Sequence, residues 1–328
     1  MASRRNLMRV AVEEAGRSLR SFGVSYSEPV DVFKIVHNSE IELLFRPLEG
    51  RADGFYIPPI GKQKAGVLLN SRRPLSRKRY TAAHEFCHFI RKDTANIRVE
   101  TMSEDFCAVR QGIAEDETLA DFFAAHFLMP SKLVTHYYKK LGLRAGLLAP
   151  SEIYRLALCM GTSYRATCNQ LANLEFITRD NYEGLIRIEP CQIKAEWGKE
   201  LGNRDVWPID HKMGGLTLIP QVEDTIRVLL PETPSTGYVW HPAKHNDFIL
   251  KLESTALCLA GSDEFIGQSG IREMIFSVRE PGRDTLDLRL RRPWEGEESA
   301  IESFSLHIVS TQREFNGHYS PQLQSFAA

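Results

Sequence analysis

Residues 81–90 of the chain read TAAHEFCHFI, and the interpretation of this stretch decides both the fold and the function. His84 and His88 are four residues apart, so on a helix both imidazoles project from one face. Two nitrogens placed in this way can bind a single Zn²⁺ at about 2.0–2.1 Å. Glu85 lies about 100° round the helix, where it can take a proton from a water at the metal without being a ligand. The pattern indicates either a metal site or a buried helix that carries two histidines.

The buried-helix alternative rests on apolar neighbours that lie on several faces of the helix. They are Ala82, Ala83, Phe86, Phe89 and Ile90. A catalytic zinc site also needs a third protein ligand. The metzincin pattern would require glycine and histidine where this chain has Arg91 and Thr94, so it does not apply. The third ligand must come from elsewhere in the chain.

Residues 115–130, EDETLADFFAAHFLMP, offer that ligand on a second predicted helix. Glu117 and Asp121 are four residues apart and share a face, whereas His126 lies about 180° from Glu117. We therefore predict that Glu117 completes a site for one zinc ion per chain. Asp121 would then accept a hydrogen bond from a histidine N–H and fix its tautomer. A solvated surface charge is the alternative for Asp121, but its apolar neighbours favour a buried setting.

The two stretches RKRYTAAHEFCHFI (77–90) and ETLADFFAAHFLMP (117–130) resemble the ImmA/IrrE family of zinc metallopeptidases. The resemblance spans about residues 25–180. It implies that His84, His88 and Glu117 bind zinc and that Glu85 is the catalytic base. It also implies a site-selective endopeptidase that cleaves regulatory proteins such as transcriptional repressors, in stress responses for example. This sequence departs from the family pattern at two places: Phe86-Cys87 replaces Leu-Gly, and Asp121 stands where Asn is usual.

Substrate contacts are predicted beside the metal helix. An extended peptide commonly adds to a strand edge in zincin-like sites, and AGVLLN (65–70) is the candidate strand. Leu68 and Asn70 are therefore the predicted substrate-binding residues. Tyr80, Tyr137 and Tyr138 are candidates for stabilising the oxyanion, although each also suits a structural role.

Residues 153–177 resemble a helix-turn-helix, whose second helix can enter a DNA major groove. Only Arg155 and Arg165 accompany it as basic residues, which favours a structural helical subdomain. A nucleic-acid partner remains the alternative for this segment.

Beyond about residue 215 the hydrophobic period changes from helical to two, which is typical of strands. Leu286, Leu288 and Leu290 alternate with polar residues, and similar runs occur near residues 274–278 and 304–308. Short alternating strands separated by turns favour a β-sandwich. Three loop-like stretches stand out in this half: ETPSTGYVW (232–240), FIGQSGI (265–271) and RRPWEGE (291–297). Rigid loops with an aromatic anchor suit insertion into the cleft of a partner. The alternative is that the aromatic side chains Tyr238 and Trp294 fill the core of the sandwich.

These loops resemble those of the chagasin-like inhibitors of papain-type cysteine proteases, over about residues 215–312. The resemblance implies an Ig-like β-sandwich and a protein partner at the loops. Thr233 and Ser235 depart from the Asn and Thr of the family pattern. The implied partner-binding residues are Pro234, Ser235, Thr236, Gly237, Tyr238, Gly267, Gly270, Arg292, Pro293 and Trp294.

The whole chain of 328 residues is predicted to be an α+β multidomain protein. A mainly helical zincin-like metallopeptidase domain with a small sheet (1–180) precedes a linker (181–214), an Ig-like sandwich (215–312) and a tail (313–328). A net charge of −1 gives no support for a general nucleic-acid or membrane binder. Six scattered cysteines and the lack of a signal peptide or membrane span favour the cytoplasm.

Three functions remain open at this level. The favoured one is a zinc endopeptidase whose chagasin-like domain supplies recognition or regulation. The alternative is an inhibitor or binding protein that acts on a papain-like cysteine protease and carries a vestigial metal site. A DNA-binding regulator is the third.

Overall fold

A computed structural model describes residues 3–92, 98–101, 111–144, 146–197, 204–259 and 270–321. Helices dominate up to about residue 194. They are α1 (Arg4–Ser21), α2 (Val32–Asn38), α3 (Leu75–Ile90), α4 (Gln111–Leu128), α5 (Ser131–Lys140), α6 (Pro150–Met160), α7 (Tyr164–Asn173), α8 (Arg179–Leu185) and α9 (Pro190–Lys194). Several begin at a side-chain cap: Ser3, Asp31, Ser163 and Thr178 each accept a bond from a backbone N–H in the first turn. Within these ranges, no helix is long and apolar enough to cross a membrane.

Thirteen strands are assigned in the described residues. They are β1 (Glu42–Arg46), β2 (Ala52–Ile57), β3 (Gly66–Asn70), β4 (Arg98–Thr101), β5 (Val206–Asp210), β6 (Thr217–Leu218), β7 (Thr225–Glu232), β8 (Val239–Lys244), β9 (Leu250–Leu259), β10 (Gly270–Val278), β11 (Gly282–Arg291), β12 (Glu302–Ser310) and β13 (Gly317–His318). They form one sheet in the order β13-β1-β3-β2-β4 and two four-stranded sheets, β5-β7-β10-β9 and β6-β12-β11-β8. A helical N-terminal region followed by a β-rich C-terminal region is the architecture that the sequence predicts.

The helix that carries the two histidines, α3, packs closely on β2. A side chain at Gly54 would lie 2.6 Å from Thr81 Cγ2 and 2.7 Å from the Leu68 carbonyl oxygen. Only glycine therefore allows this approach of strand to helix. Ala82 and Ala83 on the same helix are fully buried. These small side chains place α3 in the centre of the N-terminal region.

Aromatic rings hold α3 against α4. The ring of Phe86 lies 5.7 Å from that of Phe127 and 6.4 Å from that of Phe123. Phe123 and Phe127 are one turn apart on α4 and stack with centroids 5.2 Å apart. This packing fixes the two helices that carry the predicted zinc ligands.

The turn between α6 and α7 is bound to α3 by a buried cation. Arg79 is fully buried and donates to the carbonyl oxygens of Gly161 at 2.9 Å, Val30 at 2.9 Å and Met160 at 3.3 Å. Gly161 ends α6 in the left-handed conformation, at φ +64°. The guanidinium thus satisfies carbonyl groups at the C-terminal end of α6 that have no partner within the helix.

The two four-stranded sheets show the alternation that the sequence predicts for strands. In β11, Leu286, Leu288 and Leu290 are buried and their neighbours are half-buried. Leu288 pairs with Phe304 of β12, and Phe276 of β10 pairs with Ile226 of β7. Each sheet therefore contributes one apolar face to the core.

The segments predicted as a linker and as a tail both contain secondary structure. In residues 181–214, α9 and β5 form, and β5 pairs in parallel with β7. Four consecutive residues of β5 are buried, Val206 to Ile209, so this strand lacks the alternation by which strands are detected. In the predicted tail, β13 pairs with β1, and Tyr319 is 5% exposed. The domain boundaries themselves stay a prediction.

Candidate metal centre

Three side chains with metal-binding atoms converge where α3 contacts α4. His84 and His88 lie one turn apart on α3 and are each 2% exposed, while Glu117 comes from α4. Nε2 of His84 is 3.1 Å from Oε2 of Glu117 and 3.2 Å from Nε2 of His88. Nε2 of His88 is 3.6 Å from Oε1 of Glu117. In the part of the chain that the structure describes, these three residues are the group able to hold a metal ion.

The spacing of these atoms fits a zinc ion. Ligands placed tetrahedrally at about 2.0–2.1 Å from one centre lie about 3.3 Å from one another. The two separations from Nε2 of His84, 3.1 Å to Glu117 and 3.2 Å to His88, lie close to that value, and Nε2 of His88 is 3.6 Å from the other carboxylate oxygen of Glu117. Two imidazoles and one carboxylate are also a donor set that leaves a fourth position for water or substrate, as catalytic zinc requires.

Glu117 is poised to act as an anionic ligand. Burial alone would raise the pKa of its carboxyl group, but hydrogen bonds and charge interactions with His84 and His88 lower the pKa well below the usual range. Its side chain is still 36% exposed. The centre is therefore closed by the histidines on one side and reachable from solvent on the Glu117 side.

Asp121 contacts His84 from the other side of the ring. Oδ1 of Asp121 is 3.1 Å from Nδ1 of His84 and also accepts a hydrogen bond from the Tyr80 hydroxyl at 2.9 Å. Because an ionised carboxylate only accepts, Nδ1 of a neutral His84 is the protonated nitrogen, which leaves the lone pair of Nε2 directed at the centre. The prediction that Asp121 is buried is wrong, since its side chain is 56% exposed. The helix turns this carboxylate outward beside its buried apolar neighbours.

Glu85 follows His84 on α3 and is 2% exposed. It does not belong to the three-residue metal-binding group. A buried carboxylate next to the ligands, but outside their set, suits the predicted role of proton acceptor.

The predicted substrate strand does not offer an edge. β3 lies inside its sheet, paired in parallel with β1 and antiparallel with β2, so a peptide cannot add to it. Asn70 is 2% exposed, and its amide group binds the backbone of Leu48 and of Ala52. Its side chain holds the segment between β1 and β2. Leu68 is half-buried in the same interior strand.

The three tyrosines considered for the oxyanion all serve other contacts or are enclosed. The Tyr80 hydroxyl donates to Asp121, and the Tyr138 hydroxyl donates to the Arg144 carbonyl at 3.1 Å. Tyr137 is fully buried, and burial raises the pKa of its hydroxyl.

Residues 153–177 do form two helices joined by a short turn, α6 and α7. The inner face of α7 packs on α4, where Nε2 of Gln170 is 3.1 Å from Nδ1 of His126. His126 does not belong to the three-residue metal-binding group. One of the two basic residues, Arg155, pairs with Asp210 at 2.6 Å. These contacts favour the structural interpretation of the segment.

Two of the three predicted loops lie side by side at one end of the β-rich region. Pro234, Ser235 and Thr236 form a 3₁₀ turn that ends at Gly237, which has φ +76°. A side chain at Gly237 would lie 2.9 Å from the Trp294 ring. The loop segments share a cation–π contact, with the Arg292 guanidinium 4.7 Å from the centroid of Tyr238.

Trp294 is 72% exposed, so it is not a plug of the core. Pro293 beside it is also exposed. In the remaining predicted loop (265–271), Gly267 lies outside the described residues, and Gly270 begins β10, where it pairs with Leu259 of β9 and Glu232 of β7. That register brings the ends of β7, β9 and β10 together at the Trp294 end.

The fold and the site define a chain that combines a helical region with a candidate metal centre and a β-rich region with exposed loops. Comparison with family models confirms both resemblances. Residues 38–169 match the IrrE N-terminal-like domain, a peptidase family, and residues 220–308 match the chagasin family of peptidase inhibitors. The chain thus joins a region similar to the IrrE N-terminal-like domain to a region similar to the chagasin family.

Individual relatives align with one region or the other. The radiation response metalloprotease IrrE of Deinococcus deserti is 28% identical over 162 residues, which are 45% of this chain and 55% of that protein. The alignment therefore spans about half of that relative. Amoebiasin-2 of Entamoeba histolytica is 28% identical over 101 residues, 31% of this chain and 82% of that protein. A crystal structure of a cysteine protease inhibitor from the same organism covers 33% of this chain and 98% of its own, with 24% identity and a TM-score of 0.31.

Proposed function

We propose that the chain is a zinc-dependent, site-selective endopeptidase whose chagasin-like region recognises a partner or substrate, or regulates the metal centre. The observation that carries this proposal is the convergence of His84, His88 and Glu117 at the spacing that tetrahedral zinc requires. The match of residues 38–169 to a peptidase family supports it. The proposed fold is zincin-like in the first region and an Ig-like sandwich in the second.

Each residue has a distinct proposed role. A bound zinc ion would supply Lewis acidity toward a water and the scissile carbonyl group. His84, His88 and Glu117 hold that ion, and Asp121 fixes the tautomer of His84. The Glu85 carboxylate accepts the proton of the attacking water and returns it to the leaving amine. The exposed side of Glu117 is where a peptide reaches the centre.

The proposed substrate is a regulatory protein, for example a transcriptional repressor that controls a stress response. The similarity to a protein named as a radiation response metalloprotease supports the stress-response part of this proposal. A metal centre that lies on buried helices also suits an enzyme that cleaves its protein substrates at few sites. A nucleic-acid partner at α6–α7 receives no support from their packing.

The decisive experiment compares proteome-wide new N-termini in cells that carry the wild type or Glu85→Gln. The variant should retain one zinc per chain but lose cleavage by a factor of about 10²–10⁴, since it removes only the proton acceptor. Metal analysis of both proteins is the matched control. Cleavage that continues in Glu85→Gln, or in a metal-free preparation, would overturn the proposal.

A second candidate function is supported by the exposed loops. Trp294, buttressed by Gly237 and flanked by the Arg292–Tyr238 contact, forms a rigid aromatic projection that suits a cleft. An inhibitor of a papain-like cysteine protease would use it. Trp294→Ala should then abolish inhibition of papain, whereas Phe248→Ala, at an 80% exposed aromatic elsewhere, should not. Equal effects of both substitutions would contradict a loop-specific interaction.

A further inference from the structure

Asp121 raises a physical problem at the metal centre. It is the acceptor that fixes His84, yet its own side chain is 56% exposed. An exposed carboxylate is well hydrated and free to change rotamer, so a bond to it is weaker than one between two buried groups. Such a group needs a second constraint before it can hold an imidazole in one orientation.

Tyr80 supplies that constraint. Its hydroxyl donates to Oδ1 of Asp121 at 2.9 Å, the same oxygen that His84 contacts at 3.1 Å. A hydroxyl bound to an ionised carboxylate makes a hydrogen bond roughly twice as strong as a neutral pair. Tyr80 stands one turn before His84 on α3, so Tyr80, His84 and His88 occupy one face at successive turns.

The ring of Tyr80 is itself connected to the sheet through Arg77. The Arg77 guanidinium lies 5.3 Å from the ring centroid, and it donates two bonds to Oδ2 of Asp53, at 2.8 and 3.0 Å. Arg73 pairs with the other oxygen of Asp53 at 2.6 Å. Asp53 is 5% exposed and belongs to β2. A continuous series of contacts thus runs from β2 through Arg77, Tyr80 and Asp121 to His84.

We infer that Tyr80 is a positioning residue of the metal centre, which acts by fixing Asp121 in the rotamer that accepts from Nδ1 of His84. The inference rests on the proposed zinc site. Without the phenol hydroxyl, the Asp121 carboxylate turns into solvent. His84 is then free to carry its proton on Nε2, the nitrogen whose lone pair must bind the metal. The consequence is a weaker and less uniform metal centre, with the fold unchanged.

The test is a double-mutant cycle on zinc affinity, measured by competition with a chelator. Tyr80→Phe keeps the ring and its contact with Arg77 but removes the hydroxyl, and it should weaken zinc binding about tenfold. In an Asp121→Ala background the same substitution should have no further effect, because the residue through which it acts is gone. Tyr182→Phe is the matched control. Tyr182 lies in α8, outside the metal centre, and its exposed hydroxyl donates to Asn169, so this substitution should leave zinc affinity unchanged.

Two further measurements separate positioning from a general structural role. The melting temperature of the metal-free Tyr80→Phe protein should equal that of the metal-free wild type. The visible spectrum of the Co²⁺-loaded variant should change in band position or intensity, which reports altered ligand geometry. A wild-type zinc affinity in Tyr80→Phe overturns the inference, as does a loss that persists in the Asp121→Ala background or that merely follows a lower melting temperature.

Failure of the endopeptidase proposal gives a different result. A protein that binds zinc with the predicted coupling but cleaves no substrate would remove the proposed activity and leave the role of Tyr80 intact. An active peptidase with no coupling between Tyr80 and Asp121 would do the reverse.

Discussion

At the scale of single residues, His84 is contacted through both ring nitrogens. Nε2 faces Glu117 and His88, while Nδ1 faces Asp121. The ligand pair could be predicted from sequence because spacing on one helix is a local property. The role of Tyr80 could not, since it depends on which carboxylate of α4 reaches its hydroxyl. The contacts of Asn70 with the backbone of Leu48 and Ala52 also depend on the tertiary fold, so the sequence alone predicts a substrate contact there.

Lys78, also on α3, gives a prediction about pH. It is 4% exposed, and burial lowers its pKa from 10.5 to about 8, with Glu314 raising and Arg313 further lowering the pKa. Between these two values the unfolded chain binds more protons, so the free energy of unfolding should rise with pH. The wild type should gain about 2 kcal/mol from pH 7.5 to 10 relative to Lys78→Met, measured by urea unfolding. Parallel pH profiles of the two proteins would contradict this prediction.

At the scale of elements, the helices predicted around residues 81–90 and 115–130 form as α3 and α4, and the helix-turn-helix-like segment 153–177 forms α6 and α7, because helical periodicity is a local signal. β13 has two residues and pairs with a strand about 270 positions earlier, so no local pattern could reveal it. β5 is buried on both faces and lacks alternation. The interior position of β3 likewise follows from pairing on both sides, which the sequence of one strand does not encode.

The turn between α6 and α7 provides an element-scale prediction. Gly161 has φ +64°, and a Cβ there would lie 2.6 Å from Ile219 and 3.0 Å from Nε of Arg79. Gly161→Ala should therefore destabilise the protein by about 2 kcal/mol or more, from backbone strain and overpacking.

Gly184 in α8 is the matched control, because nothing lies within 4 Å of its would-be Cβ. Gly184→Ala should be neutral or stabilising by about 0.5–1 kcal/mol. Equal effects of the two substitutions on urea unfolding would show that the Gly161 turn is not as tight as described.

At the scale of the whole molecule, the chain returns to its first sheet after completing the β-rich region. The Lys78 ammonium donates to the Arg313 carbonyl at 2.8 Å, and Tyr319 lies against Phe33 and His37 with ring centroids 6.1 and 5.6 Å apart. The C-terminal segment is thus part of the core around the metal helix. This arrangement ties the C-terminal end of the chagasin-like region to the helical region.

Tyr319 tests that arrangement. Tyr319→Ala should lower the free energy of unfolding by about 3 kcal/mol, because it removes a buried aromatic ring. His318, the exposed last residue of β13, precedes it, and His318→Ala should change stability by less than about 0.5 kcal/mol. Hydrogen exchange should localise the loss to α2 and β1. A loss confined to the two four-stranded sheets would contradict the described path of the chain.

The most direct test of the central claim is metal analysis of the purified chain, combined with X-ray absorption at the zinc edge. We predict one zinc per chain with two imidazole nitrogens at about 2.0–2.1 Å and a carboxylate oxygen from Glu117. Replacing both His84 and His88 by alanine should abolish zinc uptake. A wild-type chain that takes up no zinc, or zinc that persists with the same ligand spectrum after both replacements, would contradict the account.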